Sequence, residues 1–411
     1  MPNSHGIKRV QSLDVLRGIA IIGTLLSNIW VFTNDYDVGS STGGISQLGK
    51  LGEVLQEYVP IVSTMLANGK FLGLLSILFG VGMAIQFESA LRHGHRWPWR
   101  YEWRSLLLMA DGFIHFALVV SIDILMGYAL VAIIVAPLLR LRTKWLVMAT
   151  ALAGAMHLFM EFRRMTETPY AEEPLPDDYY RDDSAPTGEW SNVSAPTYFE
   201  EVVSRIDDFW VLRDEAFIVA PPLSAFLFLC GVLLWRAGLF KGDERARTLS
   251  RRLAIGGLGL GMPLAVWEFL PLPGADVASD FSRYTIAPIV AFGYLGLTLI
   301  LLRRRGGSGF LARRFADVGR TALSCYMLQN VIALVIFSQW GHLGRLGSLG
   351  TFAAWAGISA LLMLAAHLWL KRFRQGPFEL VWKAAVDAPF RRADRTGERQ
   401  RREKDTTASV P

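Results

Sequence analysis

The sequence predicts an all-α, polytopic integral membrane protein with about ten transmembrane helices. Three observations carry this. The 411 residues are 52% hydrophobic and only 19% charged, below the charge of an ordinary soluble chain. The charge is segregated, because apolar runs hold almost none of it and the segments between hold nearly all. Basic residues recur at alternate connections, as the positive-inside rule requires.

Runs long enough to cross a bilayer lie at about 14–33, 67–90, 104–121, 123–140 and 144–162, then at 216–238, 250–270, 284–302, 321–340 and 351–370. The N-terminal stretch has Lys8 and Arg9 before it, yet Asp14 and Arg17 enter its start and no small-residue cleavage site follows. It reads as an uncleaved first helix. Residues 48–66 are amphipathic and are expected along the membrane surface. The run from Gly69 to Gly82 lacks phosphate-loop spacing, and its small residues suit close helix packing.

One set of connections carries Arg92, Arg96, Arg100 and Arg104, then Arg140, Arg142 and Lys144, then Lys241 to Arg252, then Arg303 to Arg314. The alternate set has little beyond Lys50, Arg283 and Arg345. The first set is therefore expected in the cytoplasm, with both termini beside it. The chain divides into four regions: 1–162 and 216–385 as two transmembrane halves, 163–215 as an extracytoplasmic loop and 386–411 as a basic tail. From Glu161 to Glu215 there are fifteen acidic and five basic residues. This stretch is either a solvated loop or a cap over an outward-facing site, through the piece Tyr198–Glu215.

The net charge of +6 does not imply nucleic acid, since the basic residues flank apolar spans and form no aromatic-interleaved patch. The lipid bilayer is the expected partner. Cys230 and Cys325 have no metal-ligand spacing, and no metal is expected.

Polar residues inside the spans are functional candidates. Counted from basic anchors, Asn28 lies eleven residues past Arg17 and His115 eleven past Arg104. Gln329 and Asn330 lie nine and ten past Arg320. A shared depth of some 14–17 Å suggests one site. His115 is the foremost candidate, as a general base oriented by Asp111, one turn earlier, or by Asp123 in the outer connection. Asn28 or Gln329 could donate to an oxyanion. Arg17 faces the inner side, paired with Asp14, and could hold a donor phosphate. Arg320 and Glu379 are assigned to the same donor site. His157, Glu268 and His342 fall near the outer face and are expected to be exposed.

The segments SLDVLRGIAIIGTLLSNIW (12–30), GKFLGLLSILFGVGMA (69–84), DGFIHFALVVSIDILMGYALVA (111–132), GRTALSCYMLQNVIALVIF (319–337) and GPFELVW (376–382) resemble the bacterial YeiB-like membrane proteins, domain of unknown function 418. That family looks like a branch of the transmembrane acyltransferases. The resemblance implies an acyltransferase-like bundle, a cytoplasmic acyl-CoA donor and an extracytoplasmic hydroxyl or amine acceptor such as a cell-envelope sugar. In the O-acyltransferase branch an Arg is followed about ten residues later by a catalytic His; here Arg17 matches the first position, and Asn28 stands for the second. Two other readings stay open: a secondary transporter of two five-helix halves, and a non-catalytic membrane component that recruits partners. A homodimer is also left open.

Overall fold

The computed structural model describes residues 4–32, 49–120, 123–166, 197–214, 217, 220–270, 272–273, 281–307, 309–339 and 347–390. Every regular element among them is helical. The order is α1 (Ser4–Phe32), α2 (Gly49–Ala67), α3 (Lys70–Arg92), α4 (Trp99–Leu118), α5 (Leu125–Val135) and α6 (Thr143–Thr166). Next come the short α7 (Tyr198–Asp207) and α8 (Phe209–Asp214), then α9 (Ala220–Arg236), α10 (Glu244–Trp267) and α11 (Ala287–Arg304). The chain closes with α12 (Phe310–Arg320), α13 (Ala322–Ala333), α14 (Ser348–Leu370) and α15 (Pro377–Asp387).

Each of the ten expected spans falls on helix, but length and composition separate them. Five stretches among the described residues are long and apolar enough to cross a membrane, and six if the bent pair α12–α13 is one span. The segments at α5 and α9 are apolar but short. Helices α4 and α10 carry charge, including Arg100, Glu102, Arg104 and Asp111 on α4. The amphipathic stretch at 48–66 is α2, with Leu51, Val54, Tyr58, Val62 and Leu66 exposed.

Burial sorts the helices into layers. The apolar window of α1 is 67% buried, whereas those of α6 and α14 are 22% and 28% buried. An apolar helix that keeps most of its side chains outside a bundle suits lipid, not water. Leu152, Phe159 and Phe162 of α6 and Leu361, Leu364 and Leu368 of α14 form that outer surface. The inside is built around α1 and α5, which contribute to two neighbouring apolar clusters. One holds Leu16, Ile77, Val131 and Phe228; the other holds Leu25, Ala129, Tyr326 and Leu362.

Small residues set the closest contacts. A Cβ on Gly80 of α3 would strike the carbonyl of Phe228 on α9, and one on Gly231 of α9 would strike the carbonyl of Ile77. The two backbones thus pack directly, through the small residues of the Gly69–Gly82 run.

Two irregular places position the polar residues of the bundle. Between α12 and α13 the axis turns by 89°. The exposed amides at the start of α13 are taken by Glu379, whose carboxylate accepts from Leu323 N at 2.7 Å and Ser324 N at 3.1 Å. Ser324 Oγ in turn donates to Glu379 at 2.5 Å and accepts from Phe378 N at 3.1 Å. Each helix start therefore caps the other. The second place is the turn from α4 to α5. Asp123 Oδ1 accepts from Leu125 N at 2.8 Å, so this carboxylate sits at the positive end of α5.

Candidate functional site

The α4–α5 turn brings several of these polar residues together. His115 is on the last turn of α4 and Asp123 lies just before α5, which brings the carboxylate back to the ring. Asp123 Oδ2 lies 2.8 Å from His115 Nδ1, with both side chains essentially sealed from solvent. Gly112 makes this return feasible: a Cβ there would lie 2.8 Å from Met126 N and 3.0 Å from Asp123 Oδ1. On the other side of the ring, Asn330 Nδ2 lies 3.2 Å from His115 Nε2. With that amide donating, Nε2 is the acceptor and Nδ1–H donates to Asp123.

Two further groups complete the cluster. Tyr326, one turn before Asn330 on α13, donates from its hydroxyl to Asp123 Oδ2 at 3.3 Å, and its ring lies 5.3 Å from the His115 ring. Arg213 of α8 donates to the backbone carbonyl of Asp123 and approaches its Oδ1 at 3.9 Å. Arg213 also lies over the Phe116 ring at 4.8 Å. The charge of Asp123 is thus answered by a buried guanidinium, the start of a helix and a histidine.

Asp123, not Asp111, is the carboxylate that touches the ring. One oxygen of Asp111, Oδ2, is buried with no hydrogen-bond partner among the described residues. Gln329 is fully buried and its amide is likewise unpartnered; it turns away from His115, since it stands about 100° round α13 from Asn330. Asn28 does not touch His115 either. It lines a cavity of ≈ 300 Å³ that also reaches Tyr326, together with Thr24, Ser27, Asn68 and Arg283.

The basic anchors surround a second cavity, of ≈ 410 Å³. Arg17, Arg104, Arg320, Gln86, Glu379 and Trp382 line its outer part, and Ile124, Tyr128 and Tyr326 its inner part. Arg17 pairs with Asp14 at 3.6 Å, Arg320 donates to the Arg374 carbonyl, and Arg104 donates to Gln86 and lies over Trp382 at 4.1 Å. Glu379 faces the same space while it caps α13. This cavity shares Gln86, Arg104 and Trp382 with a wider vestibule of ≈ 790 Å³ that also has His93, Arg96 and Arg100.

The two cavities approach from opposite ends. On α1 the basic-end cavity touches Arg17 and Ile21, and the other touches Thr24 and Asn28. On α3 the basic-end cavity touches Phe79 and Gln86, while the other touches Leu72 and, just before the helix, Gly69. Among the described residues they share Ile124 and Tyr326 alone. Tyr326 therefore stands between the two spaces with its hydroxyl on the Asp123–His115 pair.

Over the far end lies the segment α7–α8. It begins with a capping box, in which Thr197 Oγ1 accepts from Glu200 N and Thr197 N donates to Glu200. The Thr197 N–H and hydroxyl, both donating to this carboxylate, hold it below its ordinary value. Tyr198 donates to the Leu118 carbonyl at 2.5 Å, and Arg205 to that of Ala117 at 3.4 Å. The segment is thus tied to the end of α4, and Arg213 reaches from it into the site. The acidic stretch 167–196 is outside the described residues.

Expectations for the outer face change. His157 is buried, not exposed, because Nε2 bonds to the Tyr284 carbonyl at 3.0 Å. Glu268 is half-buried, with Oε1 enclosed and without a hydrogen-bond partner among the described residues. His342 lies outside the described residues. Among those residues no cluster of His, Cys, Asp and Glu could hold a metal ion. Sequence reasoning passed over Tyr326 and Arg213. The i, i+4 spacing of Tyr326 and Asn330 was a readable signal; Arg213 had none, as it sits in an acidic stretch.

Residues 234–388 match the family described as "Protein of unknown function (DUF418)". Among curated proteins, the chain is 26% identical to "Uncharacterized protein YxaH" of Bacillus subtilis (strain 168), over 92% of this chain and 94% of that one. It is 25% identical to "Uncharacterized protein YeiB" of Escherichia coli (strain K12), over 92% and 96%. No solved structure matches the chain.

Proposed function

The chain belongs to the YeiB-like family of unknown function (DUF418), and from that premise we propose that it is a membrane-embedded acyltransferase. It takes an acyl group from a cytoplasmic acyl-CoA and passes it to an extracytoplasmic hydroxyl or amine, across a bundle of about ten spans with both termini inside. The observation that carries this reading is the position of Tyr326. It lines both cavities, and its hydroxyl bonds to the Asp123 carboxylate.

In this reading the donor's phosphates meet Arg17, Arg104 and Arg320, which suit bidentate anion recognition. The thioester reaches Tyr326 from the basic end, and the acceptor reaches it from the other. The acceptor hydroxyl gives its proton to the Tyr326 oxygen as Tyr326 passes its own to Asp123. The acceptor oxygen bonds to the thioester carbon, the carbon–sulfur bond breaks, and the thiolate recovers the proton along the same path. His115 holds Asp123 in place through Nδ1–H, so its role is positioning. Asn28 is the amide nearest to a developing oxyanion on the acceptor side.

The test is transfer of labelled acetyl from acetyl-CoA by the purified protein supplied with cell-envelope sugars. Wild type should label an acceptor, and Tyr326→Phe should not. Absence of acyl-CoA binding at the basic end, with Arg17→Ala no different from wild type, would end this reading. Transport of a small solute is the second reading, favoured by two cavities that meet at Ile124 and Tyr326. Uptake into proteoliposomes that survives Tyr326→Phe would support it instead.

A further inference from the structure

We infer that the cavity opposite the basic end is a binding site for a small acidic sugar, whose negative group is held by Arg283. As an acceptor site it rests on the transfer reading above; as a binding site it stands on its own geometry.

The lining of the ≈ 300 Å³ cavity is distinctive. Asn28, Asn68, Thr24, Ser27 and Thr64 supply amides and hydroxyls, and Trp30 supplies an aromatic ring. The hydroxyls of Thr24 and Ser27 donate back into α1, to the carbonyls of Ile21 and Thr24. Their lone pairs remain open to the cavity as acceptors. The side-chain amides of Asn28 and Asn68 hold no bond to another described residue and present both donor and acceptor. A surface so rich in alternating donors and acceptors, beside an indole face, matches a polyhydroxylated ring better than a lipid tail or an inorganic ion.

The charge of the ligand follows from Arg283. Among the described residues it is the one side chain on this lining with a fixed charge, and no carboxylate lines the cavity. Among those residues Arg283 forms no ion pair; it contacts the neighbouring Tyr284 ring, at 5.6 Å. It also lines the adjoining chamber of ≈ 150 Å³, which reaches Asp123 and Arg213. A carboxylate or phosphate on the sugar would complete Arg283. The ring hydroxyls would then face Asn28 and Asn68, and one of them would be directed toward Tyr326 at the inner wall. Uronic acids and sugar phosphates share this chemistry.

Isothermal titration of the full detergent-purified chain with glucuronate, glucose 1-phosphate and glucose tests the site. Saturable binding is expected for at least one acidic sugar, with glucose weaker by about tenfold or more. Arg283→Gln should abolish that preference, Arg283→Lys should keep most of it, and Asn28→Ala should weaken acidic sugar and glucose alike. Equal binding of glucose, an unchanged preference in Arg283→Gln, or no binding of either acidic sugar overturns the proposal. Acetyl-CoA titrated into the same samples separates the two readings. Acidic-sugar binding without acetyl-CoA binding supports this site and removes the transfer reading, while acetyl-CoA binding without acidic-sugar binding does the reverse.

Discussion

The basic-end cavity and the sealed Asp123 site treat charge in opposite ways. At the basic end, Arg17, Arg104 and Arg320 stand around an open cavity, and only Arg17 forms an ion pair with a carboxylate among the described residues. At the far end, Arg213 is buried and committed to Asp123, both nearly inaccessible. The first arrangement leaves positive charge to be answered by something that enters. The second consumes its charge internally to hold one carboxylate in place. Donor binding and the positioning of Asp123 are thus separated along the bundle, with Tyr326 where they meet.

The junction is where this contrast is most exposed to test. Tyr326→Phe should lower acyl transfer by roughly 10²–10⁴, the usual contribution of a proton-transferring group, and His115→Ala, which loosens Asp123, should lower it by less, with donor binding unchanged in both. Labelled-product formation and acyl-CoA titration read the two separately. Next in size is the internal pair. Asp123→Asn leaves an acceptor for the start of α5 but removes the carboxylate that faces the buried Arg213 guanidinium, at a cost of about 3–5 kcal/mol. The double variant Asp123→Asn/Arg213→Met should recover most of that loss in thermal unfolding.

Gly112→Ala forces a methyl against Met126 N and Asp123 Oδ1. About 1–3 kcal/mol of stability should go with it, and transfer should fall further than stability alone explains. At the open end, Arg17→Ala should weaken acyl-CoA binding by about tenfold or more, the worth of one charge-assisted contact. The smallest effect concerns the cap. The Glu200 carboxyl is held low by Thr197, so its support for α7 is complete above the ordinary glutamate value and is lost as pH falls through the lowered one. Limited proteolysis within 197–214 should therefore quicken in mild acid, and Glu200→Ala should remove that pH dependence.

Much of this was legible in the sequence, for physical reasons. The apolar runs located the helices because a bilayer excludes charge from them. Counting from Arg104 and Arg320 put His115 and Asn330 at one depth because helix rise is constant, and the two do meet. The choice between Asp111 and Asp123 was not readable, since it depends on how tightly the α4–α5 connection folds over Gly112. Tyr326 was passed over because a tyrosine in an apolar run looks like core. His157 looked exposed because its depth was known and its neighbour, the Tyr284 carbonyl, was not. The number of membrane crossings was less legible for a related reason: hydropathy does not tell whether a short apolar helix such as α5 crosses the bilayer.

The pairing of α3 with α9 bears on how the protein is made. The Gly80 and Gly231 contacts join a helix from the first part of the chain to one beyond the acidic stretch, and α1 likewise packs against α12. Neither part can close its own interior. During synthesis the early helices must therefore wait in the membrane with their glycine faces uncovered until the later ones arrive. Fragments cut between 167 and 196 should be short-lived when produced singly and should reassemble when produced together.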